Sequence, residues 1–204
     1  MSKKMDILSD LPDTFRKPAV QLFLDSLGEK IVPAMGHRSR AEALLMDSLN
    51  SDACFLAVEG SDLLGMIGLN TSETVFVEAG LVDFLKHAGF FRSLWTLPIL
   101  GAMEHSTMSD EIYVEMIAVS PTARGQGIGH ALLARAEEHG IALGKSRLTL
   151  QVVDTNPRAK KLYETLGFRT TGTYNTYPMG RLVGWRFNKV DFMEKTLTSR
   201  NRVP

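Results

Sequence analysis

Apolar positions along the chain change spacing several times, and each change marks an element. Ala19, Leu22, Phe23 and Leu27 recur at helical spacing and predict a helix from Phe15 to Ile31. Pro18 is placed in its first turn, where a missing N–H costs little, and Gly28 interrupts or ends it. Pro33, Gly36 and His37 then mark a break before a second short helix, Ala41 to Leu49. Ala53 to Val58 and Leu63 to Leu69 are apolar runs joined by Gly60-Ser61-Asp62, which predicts a hairpin. Residues 71 to 108 follow no single period. Val75-Phe76-Val77 suits a strand or the start of a helix, and Pro98 argues against one unbroken helix through the apolar stretch that begins at Leu81.

Regularity returns at Glu111. Glu111 to Val119 predicts a buried strand, Ile128 to Leu143 a helix, and Leu148 to Val153 another strand. Pro157 to Leu166 predicts a short helix that Gly167 terminates. Thr170 to Thr176 and Trp185 to Leu197 are strand candidates on either side of the turn or loop Tyr177-Pro178-Met179-Gly180. The order strand, helix, strand, helix, strand predicts a mixed α/β domain.

Composition narrows the classes. The chain has 204 residues, 44% of them hydrophobic, which is ample for one domain with a core. Lys plus Arg and Asp plus Glu are both 23, so no broad basic face is available to neutralise phosphates, and no nucleic-acid partner is expected. The lone Cys54 sits in an apolar run and reads as a buried, inert thiol, consistent with a reducing, cytoplasmic setting. No cysteine spacing suggests zinc. The N-terminal residues do not resemble a signal peptide. The apolar run Ser93 to Met103 is eleven residues, too short for a membrane span.

The sharpest chemical signal is Arg124-Gly125-Gln126-Gly127-Ile128-Gly129, between a predicted strand and a predicted helix. Glycines let the backbone approach a ligand closely, and successive amides at a helix N-terminus can point at anionic oxygens. The competing reading is a tight turn with no ligand. Two other phosphate motifs fail. A dinucleotide fingerprint starting at Gly125 needs glycine where His130 stands, and a Walker A loop ending at Gly144-Lys145-Ser146 needs glycine at His139.

With this run, the chain resembles the GNAT superfamily of acyl-CoA-dependent N-acyltransferases. Arg124, Gly127 and Gly129 meet the family's signature after the strand exit Val119-Ser120-Pro121. Downstream, Leu150-Gln151-Val152-Val153-Asp154-Thr155-Asn156, followed by Leu162-Tyr163 and Gly167-Phe168, matches a second family block. The close resemblance covers roughly residues 111 to 170. It implies a single acyltransferase domain over 1–204, with an atypical apolar insertion at about 71–108 and a mixed sheet splayed in its centre and flanked by helices. The pantetheine arm of acetyl-CoA, the acyl donor, would enter between the strand ending at Val119 and the strand beginning near Leu148. It would bond the backbone of Ile117 and Val119. The amides of Gly125, Gln126, Gly127, Ile128 and Gly129 would hold its pyrophosphate, and Arg124 would add charge or brace the loop. Asn156 would bond the pantetheine arm, a role that can coexist with capping the following helix.

Acyl transfer to an amine needs a neutral nucleophile, since an alkyl amine has a reference pKa of roughly 10. It also needs an oxyanion stabiliser and a proton for the leaving thiolate. By resemblance, Tyr163 is the proton donor, and a backbone N–H such as that of Ile117 stabilises the oxyanion. Glu115 is the candidate proton acceptor, being a charge inside an otherwise apolar strand. Period two puts Tyr113, Glu115, Ile117 and Val119 on one face. A rim carboxylate, or one paired with Arg, is the alternative for Glu115. Gln151 departs from the family pattern, in which a catalytic Glu often stands five residues before the Asn, and an amide is no general base. Tyr174, Asn175, Tyr177 and Trp185 are candidates for the acceptor pocket, with the Trp95 segment as its other wall. That segment also suits core packing, a surface patch or a homodimer contact. The acceptor is expected to be a small-molecule or peptide amine. The alternatives are a non-catalytic acyl-CoA-binding or regulatory protein on the same fold, and an interaction protein built on the Leu81 to Leu97 segment.

Overall fold

The structure is a computed structural model that describes residues 5–89, 93, 105–182 and 184–198. Seven strands form one mixed sheet in the order β1-β2-β3-β4-β5-β7-β6. They are β1 (Asp6–Leu8), β2 (Cys54–Glu59), β3 (Asp62–Asn70), β4 (Glu111–Val119), β5 (Arg147–Val153), β6 (Arg169–Asn175) and β7 (Lys189–Thr196). The β2–β3 hairpin forms as predicted, and β4 and β5 run parallel. β1, with only three residues, carries too little pattern to be read from sequence.

Helices cover both faces. α1 (Asp13–Met35), α2 (Arg38–Ser48) and α3 (Leu81–Ala88) pack on one side; α4 (Ile128–Ala142) and α5 (Pro157–Thr165) pack on the other, while α6 (Met179–Leu182) is a single turn. α1 is longer than its pattern suggests. Gly28, Pro18 and Pro33 all lie inside it, and it ends at Gly36, whose N–H bonds Val32 O with φ at +80°. The prolines remove two ladder bonds, and the helix persists because its apolar face is buried through Phe23 and Met35. Val75-Phe76-Val77 is neither strand nor helix. It makes an isolated bridge from Val77 to Leu49 and places the Phe76 ring over Gly68.

The two cores reveal where β4 departs from simple alternation. Ile112 and Val114 pack with α4, and so do Ile117 and Val119; Met116 and Ala118 pack with α1 and α2. The parity changes at Glu115, where β4 has one residue more than β3: Gly68 pairs Met116, but Leu69 pairs Val114. This β-bulge overturns the expectation that Tyr113, Glu115, Ile117 and Val119 share a face. Of the insertion at about 71–108, residues 90–92 and 94–104, including Trp95, lie outside the described residues.

Candidate active site

The sheet opens where β4 and β5 stop pairing. Their last partners are Val114 and Leu150, yet β4 continues to Val119 and β5 to Val153. Beyond that point β5 stays bonded to β7, so the gap lies in the middle of the sheet. Ser120 donates its N–H to Leu64 O at 2.8 Å, which fixes the phase of the β3–β4 ladder. Hydrogen-bonded and non-bonded pairs alternate in an antiparallel ladder. Ala118 and Met116 therefore bond β3, and the N–H and C=O groups of Ile117 and Val119 point into the gap. A cleft of about 1290 Å³ runs through this opening and across both faces.

At one end of the cleft stands the glycine run. Gly125 and Gly127 adopt φ of +83° and +80°, and a Cβ on either would meet nothing within 4 Å. These glycines are needed for backbone conformation and leave open space before the amides. Gly127 is the N-cap of α4, so the partial positive charge of that helix terminus faces the cleft. Arg124 is exposed and donates through Nε to Val119 O at 3.4 Å, which braces the loop against the end of β4. Arg124, Gly125, Gly127, Ile128 and Gly129 line the cleft; Gln126 is exposed and does not.

Across the gap, Asn156 and Tyr163 also line the cleft. Asn156 caps α5, accepting the Ala159 N–H on Oδ1 at 3.2 Å, with Pro157 in the first turn. The NH2 end of the same amide is its donor end. Tyr163 is buried against Phe168, with ring centroids 5.8 Å apart. Burial pushes its phenol up to about 12, so it holds its proton throughout the neutral range. Gln151 lies in the cleft as well.

Glu115 sits at the bulge, half-buried and lining the cleft. Asn70 at the end of β3 donates Nδ2 to Glu115 Oε2 at 3.1 Å and accepts the Phe76 N–H on Oδ1 at 2.8 Å. One side chain thus ties the carboxylate to the loop that crosses Gly68. Among the sequence candidates for an acceptor pocket, Trp185 lines the cleft. Tyr177 is largely exposed, Asn175 accepts the Tyr177 N–H, and Tyr174 packs on Phe192 behind the cleft.

Sequence reasoning did not single out His105 and Glu111. Glu111 is 2% exposed, and its carboxylate accepts from Thr149 Oγ1, from the Met108 N–H at 3.1 Å and from His105 Nε2 at 2.7 Å. Burial pushes this carboxyl up, but those bonds outweigh it and hold it below the usual carboxylate range. His105 lines the cleft, and its ring lies 4.5 Å from that of Tyr113. A buried charge at a strand's first residue was the available signal, but its partner lies in the stretch with no readable period.

The chain is similar to known proteins in sequence and in fold. The family model described as Acetyltransferase (GNAT) family matches residues 21–168. A thialysine N-epsilon-acetyltransferase of Bos taurus is 46% identical over 56 residues, 28% of this chain and 33% of that protein. A mycothiol acetyltransferase of Gordonia bronchialis is 37% identical over 65 residues, 32% of this chain and 20% of that protein. The matches thus span a third or less of the length of these two relatives. A solved acetyltransferase superposes over 95% of this chain and 100% of its own, with a TM-score of 0.62 at 20% identity, a likeness of fold. With the family model matching most of its length, the chain belongs to the GNAT acetyltransferase family.

Proposed function

We propose that the protein transfers an acetyl group from acetyl-CoA to an amine by direct attack of the amine on the thioester. The observation that carries this reading is the parting of β4 and β5 after Val114 and Leu150, with an open left-handed glycine turn at one end and Tyr163 across the gap. The residues present fit the donor. The Ile117 C=O and the N–H and C=O groups of Val119 offer a strand edge to the pantetheine amides. The Asn156 NH2 can donate to the same arm while its oxygen caps α5. The amides from Gly125 to Gly129 and the α4 terminus suit a pyrophosphate, and Arg124 lies beside them.

The chemistry then divides among the chain's own groups. Glu115, held by Asn70, accepts a proton from the attacking nitrogen, directly or through water. The Ile117 N–H donates to the oxygen that gains charge. Tyr163, protonated and buried, supplies the proton for the departing sulfur. Gln151 stands where relatives often place a base, and this leaves the acceptor role to Glu115. The acceptor is a small-molecule or peptide amine, and the name of the bovine relative makes thialysine one amine to include in a panel. A cytoplasmic setting suits the buried Cys54, whose thiol burial pushes up to about 12.

Purified protein, acetyl-CoA and a panel of amines, read by thiol release and product mass, test the proposal. Amine-dependent release of coenzyme A is expected. Tight acetyl-CoA binding without turnover on any amine would instead favour a non-catalytic binding protein.

A further inference from the structure

An ammonium nitrogen carries three hydrogens, and the secondary amide that it becomes carries one. One proton must leave before attack, to free the lone pair. The second leaves as the C–N bond forms and the C–S bond breaks. Tyr163 gives a proton to the sulfur and regains one from solvent, so one proton is released overall. A single carboxylate at Glu115 must discharge between these events or share them with another base.

The cleft also holds a histidine. His105 is fixed at one ring nitrogen: Nε2 lies 2.7 Å from Glu111 Oε1. Glu111 is buried and ionised, hence acceptor-only, so Nε2 must be the donor. The neutral ring then carries its lone pair on Nδ1. The Glu111 bond is the imidazole's one hydrogen bond among the described residues. Its side chain is 23% exposed and lines the same cleft as Glu115. Tyr113, two residues before Glu115 on β4, has its ring 4.5 Å from the imidazole. Phe192 of β7 closes the aromatic side at 6.3 Å, with Tyr174 of β6 behind it. Arg147 of β5 stands 4.0 Å from Glu111 and is shared with Asp110 and Glu194. Glu111 therefore acts as an orienting carboxylate, the part such a group plays behind catalytic and metal-bound imidazoles.

We propose that His105, oriented by Glu111, is a second proton acceptor that takes the first proton from the incoming ammonium, leaving Glu115 to take the second. This rests on the acyl-transfer reading. His105 is then a catalytic residue and Glu111 a positioning residue.

The test compares two probe amines, ethylamine and 2,2,2-trifluoroethylamine, with wild-type, H105N and H105Q. The fluorines make the second ammonium far more acidic, so it arrives largely neutral at pH 7 and needs no first deprotonation. With ethylamine at neutral pH, kcat/KM should fall on the order of 10²-fold in the variants. With trifluoroethylamine it should fall by no more than about threefold, because the step served by the base is absent. Raising the pH toward the ammonium value of about 10 should restore the ethylamine rate. E111Q should show the same amine dependence, and the E111Q/H105N pair should lose no more than H105N alone. Acetyl-CoA affinity, measured by calorimetry, identifies the variant of His105 that keeps its fold. An equal loss with both amines, or no loss, overturns this proposal alone. Thiol release with neither probe nor any other amine of the panel in the wild-type protein overturns it together with the acyl-transfer reading.

Discussion

Replacing Gly127 with alanine separates the two demands placed on the glycine turn. Gly127 has φ of +80°, and its Cβ would meet no protein atom within 4 Å. Folding therefore bears only the cost of a left-handed non-glycine residue, about 1–2 kcal/mol. For a domain of this size that lowers Tm by roughly 2–8 °C. Binding bears more, because the new methyl enters the space in front of the amides. Loss of one charge-assisted hydrogen bond costs about 1.5–3 kcal/mol, a Kd for acetyl-CoA weaker by roughly 10- to 150-fold. Scanning calorimetry gives the first quantity, and isothermal titration with acetyl-CoA gives the second. A small Tm shift with unchanged affinity would refute the argument that this open space holds the cofactor's anionic part.

Gly68→Ala should behave in the opposite way. Its Cβ would fall 2.2 Å from Cδ1 of the fully buried Phe76, and overpacking of this kind costs about 1–3 kcal/mol. A lowered chemical-denaturation midpoint is expected, with acetyl-CoA affinity of the folded protein kept. Tyr163→Phe should leave that affinity unchanged and lower kcat by on the order of 10²-fold or more; an unchanged kcat would remove Tyr163 from the chemistry. In the parent protein, a phenol pushed up to about 12 predicts that kcat shows no loss from Tyr163 ionisation through the mildly alkaline range. Glu111 has a folded-state pKa below the ordinary 4.5, so its stabilisation is complete above that value and is lost as pH falls through the lower one. Thermal melts across this acidic window should show wild-type losing stability more steeply than Glu111→Gln, and parallel curves would contradict it.

The fold was legible wherever local pattern and tertiary demand agreed. β4 has the predicted bounds, Glu111 to Val119, because its whole length is buried or half-buried. α4 follows a glycine turn that needs no distant partner to be recognised. The bulge was not legible, because Glu115 becomes an extra residue only in relation to Leu69 and Gly68 on β3. Strict alternation therefore put Ile117 and Val119 on the face of Tyr113, whereas they share the face of Ile112 and Val114. α1 ran past Gly28 and Pro33 because burial outweighed local propensity. The His105–Glu111 pair escaped notice because its partners meet only when the end of the unpatterned stretch folds back beside β5, at Thr149. Asn156 shows the reverse case, since its cap was readable from its place just before Pro157.

An opened sheet that moves an acetyl group to an amine must release coenzyme A as it does so. The most direct measurement is thiol release from acetyl-CoA by the purified protein, with and without each amine in a panel, paired with product mass. Release should depend on an amine, with the product heavier by one acetyl group. Saturable acetyl-CoA binding with no amine-dependent release across the panel would contradict it.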